Sequence, residues 1–150
     1  MAVCAMRAIR EIVGMKCKLE TISKMIDRES LVPLHNQVVQ IVAALVVGGE
    51  YMPGDRLPGQ LRAQKAGIPR HSWEKAQQIL QAEGITDKEA TAPWRVTEIG
   101  PEKAREYLEK VIQKAAETSA ALLGLAKVNE KTFMDLVIVN AKQGIEKGAE

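Results

Sequence analysis

The stretch GIPRHSWEKAQQIL, residues 67–80, has the pattern of a tight turn followed by the first turns of an amphipathic helix. Gly67 ends a preceding helical segment at residues 60–66, and Pro69 stands just before a second segment at residues 70–82. Two short helices joined by a turn of three or four residues that contains glycine are typical of a helix-turn-helix. The sequence therefore predicts this motif.

The first turn of the second segment is basic and polar, with Arg70, His71 and Ser72. Acidic side chains are the usual residues there, because the helix dipole favours negative charge at the N-terminus. The buried face of this segment is predicted to comprise Trp73, Ala76, Ile79 and Leu80. Basic residues cluster in the surrounding sequence at Arg56, Arg62, Lys65, Arg70 and Lys75, with Asp55 and Glu74 beside them. This run indicates either a local basic patch or a mixed, solvated surface.

Outward from the motif, the flanking segments also have recognisable patterns. Apolar spacing predicts an amphipathic helix over residues 6–26 and another over residues 33–45, stopped by Gly48 and Gly49. A Pro-Gly turn and an extended Leu-Pro step follow at residues 52–58, as a connector between packed helices. Residues 85–98 are predicted to form a small β-hairpin. Two C-terminal helices are predicted at residues 102–123 and from Asn129 to about residue 147, with Gly124 ending the first of them.

Composition excludes several classes of function. The chain has 150 residues and a formal charge of +2, from 21 basic and 19 acidic side chains, so the overall charge balance identifies no polyanionic partner. Cys4 and Cys17 have no partner at metal-ligand spacing, and we expect no metal and no cofactor. No apolar run resembles a signal peptide or a membrane span, which predicts a cytoplasmic protein. With His35 and His71 as its only histidines and no phosphate-binding loop, the chain is not expected to be an enzyme.

A longer run of residues carries a family resemblance, which covers about residues 33–85. The run comprises Pro33-Leu34 with Gln37, Gly49-Glu50, Pro53-Gly54-Asp55-Arg56-Leu57-Pro58, Gly67-Ile68-Pro69-Arg70 and Leu80-Gln81-Ala82-Glu83-Gly84-Ile85. It resembles the GntR family of bacterial winged-helix repressors, and the short tail resembles that of the small YtrA subfamily. The resemblance implies a mainly α protein: a winged helix-turn-helix with a small β-hairpin wing, followed by a C-terminal antiparallel helix pair.

The resemblance also implies double-stranded DNA as a partner and residues 70–82 as the recognition helix. Arg70 aligns with a family arginine suited to guanine or phosphate, and Arg56 aligns with a basic residue suited to phosphate. The residues expected to bind DNA are Arg56, Arg62, Arg70, His71, Ser72, Lys75 and Arg95. The family's glycine-containing wing turn is replaced by Ala90-Thr91-Ala92-Pro93-Trp94-Arg95, which predicts a wing of altered form with Trp94 in the core.

The expected organisation has three parts: an N-terminal amphipathic extension at residues 1–28, the winged helix-turn-helix at residues 29–98, and a helical dimerisation tail at residues 99–150. The apolar stripe of the tail is wider than one neighbouring helix needs, which favours a homodimer over simple capping of the monomer. Its expected interface residues are Tyr107, Leu108, Val111, Ile112, Ala115, Leu122, Phe133, Leu136 and Val137.

Two functions remain open at this point. The first is a dimeric transcriptional regulator, a repressor in the resembled family, that binds a two-fold related operator. The second is a winged-helix protein that binds other proteins and has weak or no affinity for DNA, which Glu74 and the altered wing would favour. The sequence identifies no small-molecule effector, and the short tail predicts that any such ligand would lie between subunits.

Overall fold

A computed structural model describes residues 18–89, 93–127 and 130–149 of the chain. A helix at residues 18–25 (α1) comes first. The following elements are α2 (Leu34–Val47), α3 (Gln60–Lys65), α4 (Arg70–Ala82), β1 (Thr86–Asp87), β2 (Arg95–Val96), α5 (Gly100–Leu125) and α6 (Glu130–Ala149). The predicted mainly helical fold with a small antiparallel hairpin is confirmed.

The chain divides into two compact units, the first of which extends to Leu108. The core of this first unit lies between α2 and α4. Val38, Val42 and Val46 recur every fourth residue and are fully or almost fully buried, as expected for one face of a helix. From the other side α4 contributes Trp73 and Leu80, which are also fully or almost fully buried. These side chains hold α4 in place by its inner face, which leaves its outer face exposed.

The turn between α3 and α4 depends on a glycine. Gly67 has φ = 90°, a left-handed conformation that costs a residue with a side chain about 1 kcal/mol or more. Its N–H donates to the Gln64 carbonyl at 3.0 Å, and the N–H of Ile68 donates to the Ala63 carbonyl at 3.0 Å. This pair of hydrogen bonds ends α3 in a Schellman motif, and the fully buried Ile68 anchors the turn. The predicted helix-turn-helix is therefore present.

The β-hairpin is extended by a third segment. β1 and β2 pair antiparallel, with Thr86 opposite Val96. On the other side of β2, the N–H of Gly54 donates to the Val96 carbonyl at 2.8 Å, and the N–H of Leu57 donates to the Trp94 carbonyl at 2.8 Å. The Pro-Gly-Asp-Arg-Leu-Pro segment was expected only to connect helices. It also covers one edge of the hairpin, a pairing between distant residues that local patterns do not reveal.

The helix α1 contributes to the core of the first unit. Leu19 and Ile22 are buried there. Arg28 donates from Nη2 to the Gly67 carbonyl at 2.6 Å, which ties the end of this segment to the helix-turn-helix. The earlier part of the predicted extension, residues 1–17, lies outside the described residues.

The division between the two compact units falls inside a helix. The first unit extends to Leu108 and the second begins at Glu109, both within α5. The reason is that Ala104 is buried and Leu108 packs against the core of the first unit. Gly124 was expected to end this helix, but it remains helical and α5 continues to Leu125. Asn129, the expected cap of α6, lies outside the described residues.

The second unit comprises the rest of α5 together with α6. In its described part most apolar side chains are exposed, among them Ile112, Leu122, Leu136 and Val137. Across the residues that the structure describes, no helix has the length and apolarity needed to span a membrane. Nor do these residues bring three or more His, Cys, Asp or Glu side chains together as a metal site would require.

Candidate nucleic-acid interface

The N-terminus of α4 has no side-chain cap. Pro69 occupies the N-cap position, and among the described residues no side chain makes a capping hydrogen bond there. The Pro69 carbonyl accepts a hydrogen bond from the N–H of Trp73 at 3.0 Å, which is the first hydrogen bond of the helix. Among the described residues, the backbone N–H groups of Arg70, His71 and Ser72 have no acceptor. Free N–H groups and the positive end of the helix dipole together favour an anionic group at this position.

The first two turns of α4 carry three basic side chains and one acidic side chain, Glu74. Arg70, His71 and Lys75 are exposed, and Ser72 is half-buried. In the part of the chain that the structure describes, the guanidinium group of Arg70 has no carboxylate partner and remains available for a ligand. Of the predicted DNA-binding residues, these four lie together on one helix.

His35 lies in the first turn of α2, the helix that packs against α4. The side chain is half-buried, and burial lowers its pKa, as do the positive charges of Lys75 and His71. The sequence alone does not relate His35 to α4, because only tertiary packing brings the two helices together.

The hairpin side of the domain holds two other predicted residues. Arg56 and Arg95 are both exposed and lie opposite each other in an isolated antiparallel bridge. The Nη1 of Arg95 donates to the Gly54 carbonyl at 3.1 Å, which holds part of its guanidinium against the Pro-Gly turn. Arg62, the remaining predicted residue, is exposed on α3.

Trp94 lies half-buried against the core, which agrees with the interpretation of this residue as a packing residue. The ammonium of Lys88 sits 5.6 Å from the centre of its ring, within the range of a cation–π interaction. Residues 90–92, which form the predicted turn of the altered wing, lie outside the described residues.

A cleft of about 380 Å³ separates α4 from the hairpin. Polar side chains line much of it, including Gln60, Glu74, Gln78, Gln81 and Lys88. Gln77 also contributes to the lining, but it is only 2% exposed and neither polar atom of its amide has a hydrogen-bond partner among the described residues. The predicted buried face of α4 did not include Gln77.

The predicted dimerisation residues fall into two groups. Tyr107 and Leu108 are half-buried against the core of the first unit, and burial raises the pKa of Tyr107, with the nearby carboxylate of Glu83 adding to the effect. In the second unit Val111 is half-buried, whereas the exposed residues are Ile112, Ala115, Leu122, Leu136 and Val137. The side chain of Phe133 lies outside the described part.

No family model and no curated protein matches this sequence. Solved structures do match, among them a GntR-family transcriptional regulator from Listeria monocytogenes, with a TM-score of 0.56 and 18% identity over 75% of this chain and 96% of the other. A transcriptional regulator from Oenococcus oeni matches with a TM-score of 0.51 and 15% identity, over 77% of this chain and 97% of the other. YtrA from Sulfolobus acidocaldarius, a GntR-family transcription factor, matches with a TM-score of 0.48 and 29% identity, over 61% of this chain and 95% of the other.

The first two likenesses confirm that the chain has a winged-helix fold like that of GntR-family regulators. In this fold α3 and α4 form the helix-turn-helix, and β1 and β2 form the wing strands.

Proposed function

We propose that this protein is a sequence-specific DNA-binding transcriptional regulator. The observation that carries the proposal is the N-terminus of α4. Its uncapped N–H groups lie beside the exposed side chains of Arg70, His71 and Lys75. A helix terminus of this kind suits phosphate, and an arginine in the first turn suits the O6 and N7 atoms of guanine in the major groove.

The protein acts as a homodimer held by the second unit. Ile112 is 67% exposed and Leu122 is 60% exposed on α5, while Leu136 and Val137 are 51% and 46% exposed on α6. So much exposed apolar surface on consecutive helices is typical of a face that another subunit covers. Two copies related by a two-fold axis would present two α4 helices to a two-fold related operator, where occupancy by the dimer blocks transcription.

The test begins with selection of duplexes from a random pool by the purified protein. Enrichment of a palindrome would support both DNA recognition and two-fold symmetry, and its half-site spacing should equal about one helical turn or a multiple. If no duplex is enriched and random DNA fails to bind at micromolar protein and low salt, the proposal is wrong and protein binding becomes the better interpretation of the fold.

Fluorescence anisotropy on the enriched duplex then tests the role of Arg70. Arg70→Ala should weaken binding by about 1–3 kcal/mol and relax the base preference at one position, because the guanidinium reads a base edge. Arg105→Ala removes an exposed arginine from α5, outside the helix-turn-helix, and is the matched control. Equal affinities for wild type and Arg70→Ala would contradict the assigned role.

A further inference from the structure

Glu74 is an unusual residue for the outer face of α4. It is exposed, and among the described residues its carboxylate has neither an ion pair nor a hydrogen bond. A free carboxylate close to DNA phosphates repels them, so it weakens binding unless it faces a hydrogen-bond donor. The base edges of the major groove present such donors, the amino groups of cytosine N4 and adenine N6.

Arg70, Glu74 and Gln78 form a row along the helix. They are four residues apart and all three are exposed, whereas the side of α4 that carries Trp73 and Leu80 is buried. A rise of about 1.5 Å per residue separates neighbours in the row by about 6 Å along the axis. Base pairs are about 3.4 Å apart, so in a helix that runs along the major groove consecutive members of the row would lie over positions about two base pairs apart.

The functional groups of the row differ in what they can recognise. The guanidinium of Arg70 only donates, the carboxylate of Glu74 only accepts, and the carboxamide of Gln78 does both. In the major groove these capacities match guanine O6 and N7, cytosine N4, and adenine N6 and N7, respectively. Glu74 and Gln78 also line the cleft beside the hairpin, where Lys88 supplies a cation suited to the DNA backbone.

We infer that Glu74 and Gln78 are specificity-determining residues, which select cytosine and adenine in each half of the operator. This inference rests on the proposed function, since it names the bases that the proposed DNA-binding helix recognises. The inference also assigns a role to the negative charge of Glu74. This charge lowers the affinity for DNA sites that lack an amino group opposite Glu74, and it thereby increases the selectivity for sites that have one.

The experiment compares Glu74→Gln with wild type by anisotropy on the selected operator and on its single-base variants. Wild type should prefer cytosine at one position of each half-site by at least about fivefold, and the substitution should remove this preference. Affinity for random duplexes should rise, because a like charge has been removed from the interface. Glu102→Gln removes the same charge from an exposed site on α5 and should leave the base preferences unchanged.

Gln78→Ala should remove a preference for adenine about two base pairs from the cytosine position, by about fivefold or more. If the operator is bound but both variants keep the wild-type base profile, the inference is overturned while the proposed function stands. If Glu74→Gln and Glu102→Gln alter affinity equally and neither alters the profile, Glu74 acts only through overall charge and the inference is likewise overturned. A wild-type protein that selects no duplex at all refutes the proposed function itself.

Discussion

Replacing Gln77 with methionine should stabilise the protein. The side chain is 2% exposed, and neither Nε2 nor Oε1 has a hydrogen-bond partner among the described residues. A buried polar group without a partner costs about 1–3 kcal/mol in protein mutational data. Methionine has nearly the same length and shape, so the packing of α4 should be preserved at a cost below about 1.5 kcal/mol.

The net expectation for Gln77→Met is a gain of about 1–2 kcal/mol in the free energy of unfolding. For a unit of this size the melting temperature should rise by about 4–8 °C for each kcal/mol. Urea denaturation followed by tryptophan fluorescence reports on the correct unit, since both Trp73 and Trp94 lie in the first one. The midpoint should move to higher urea with an unchanged m-value, because the surface exposed on unfolding stays the same.

Gln81→Met is the matched control, because Gln81 lies one turn further along α4 and is exposed. Its effect should stay within about 0.5 kcal/mol. If Gln77→Met instead destabilises by more than about 1 kcal/mol while the control is neutral, the amide of Gln77 has hydrogen-bond partners in the folded protein. The reasoning from its burial would then be wrong.

Two further outcomes are expected. Gly100→Ala should destabilise the protein by about 1–3 kcal/mol in the same urea assay, because the added Cβ would lie 2.8 Å from the Ile85 carbonyl oxygen. Gly59→Ala is the control and should be close to neutral, because its added Cβ would meet nothing within 4 Å. Equal effects of the two substitutions would refute this explanation. Burial and two basic side chains of α4 lower the pKa of His35 in the folded protein. The stability that neutral His35 contributes should therefore be fully present above the pKa of the unfolded state, near 6.5. It should be lost as the pH falls from there through the lower pKa of the folded state. His35→Gln should flatten the curve of unfolding free energy against pH in this range, and NMR titration of the wild type gives the pKa of His35. An unchanged curve would show that His35 is not the source of this pH dependence.

Local sequence patterns predicted the helix-turn-helix because the interactions that define it lie within a few residues. Gly67 needs its left-handed backbone, and the buried face of α4 has helical spacing. Similar logic correctly placed α2 and the hairpin. The prediction that Gly124 ends α5 was wrong. A glycine ends a helix only when its backbone leaves the helical conformation, and the backbone of Gly124 stays helical.

The candidate site was predictable only in part. Arg70, His71 and Lys75 share one helix, so their proximity follows from helical spacing alone. The effect of Lys75 and His71 on the pKa of His35 depends on how α2 packs against α4. The contact of Arg95 with the Gly54 carbonyl joins residues that are 41 positions apart. Neither relation has a local signal in the sequence.

By itself, the sequence determined the order of the elements, the helix-turn-helix and the positively charged start of α4, because backbone preferences and short-range spacing are local properties. Tertiary structure alone decided the limits of the first unit. Leu19 and Ile22 from α1, and Ala104 from α5, are buried with the central helices because burying apolar surface stabilises a core regardless of distance along the chain. The same long-range packing left Glu74 and Gln78 exposed beside the hairpin and buried Gln77 beneath them.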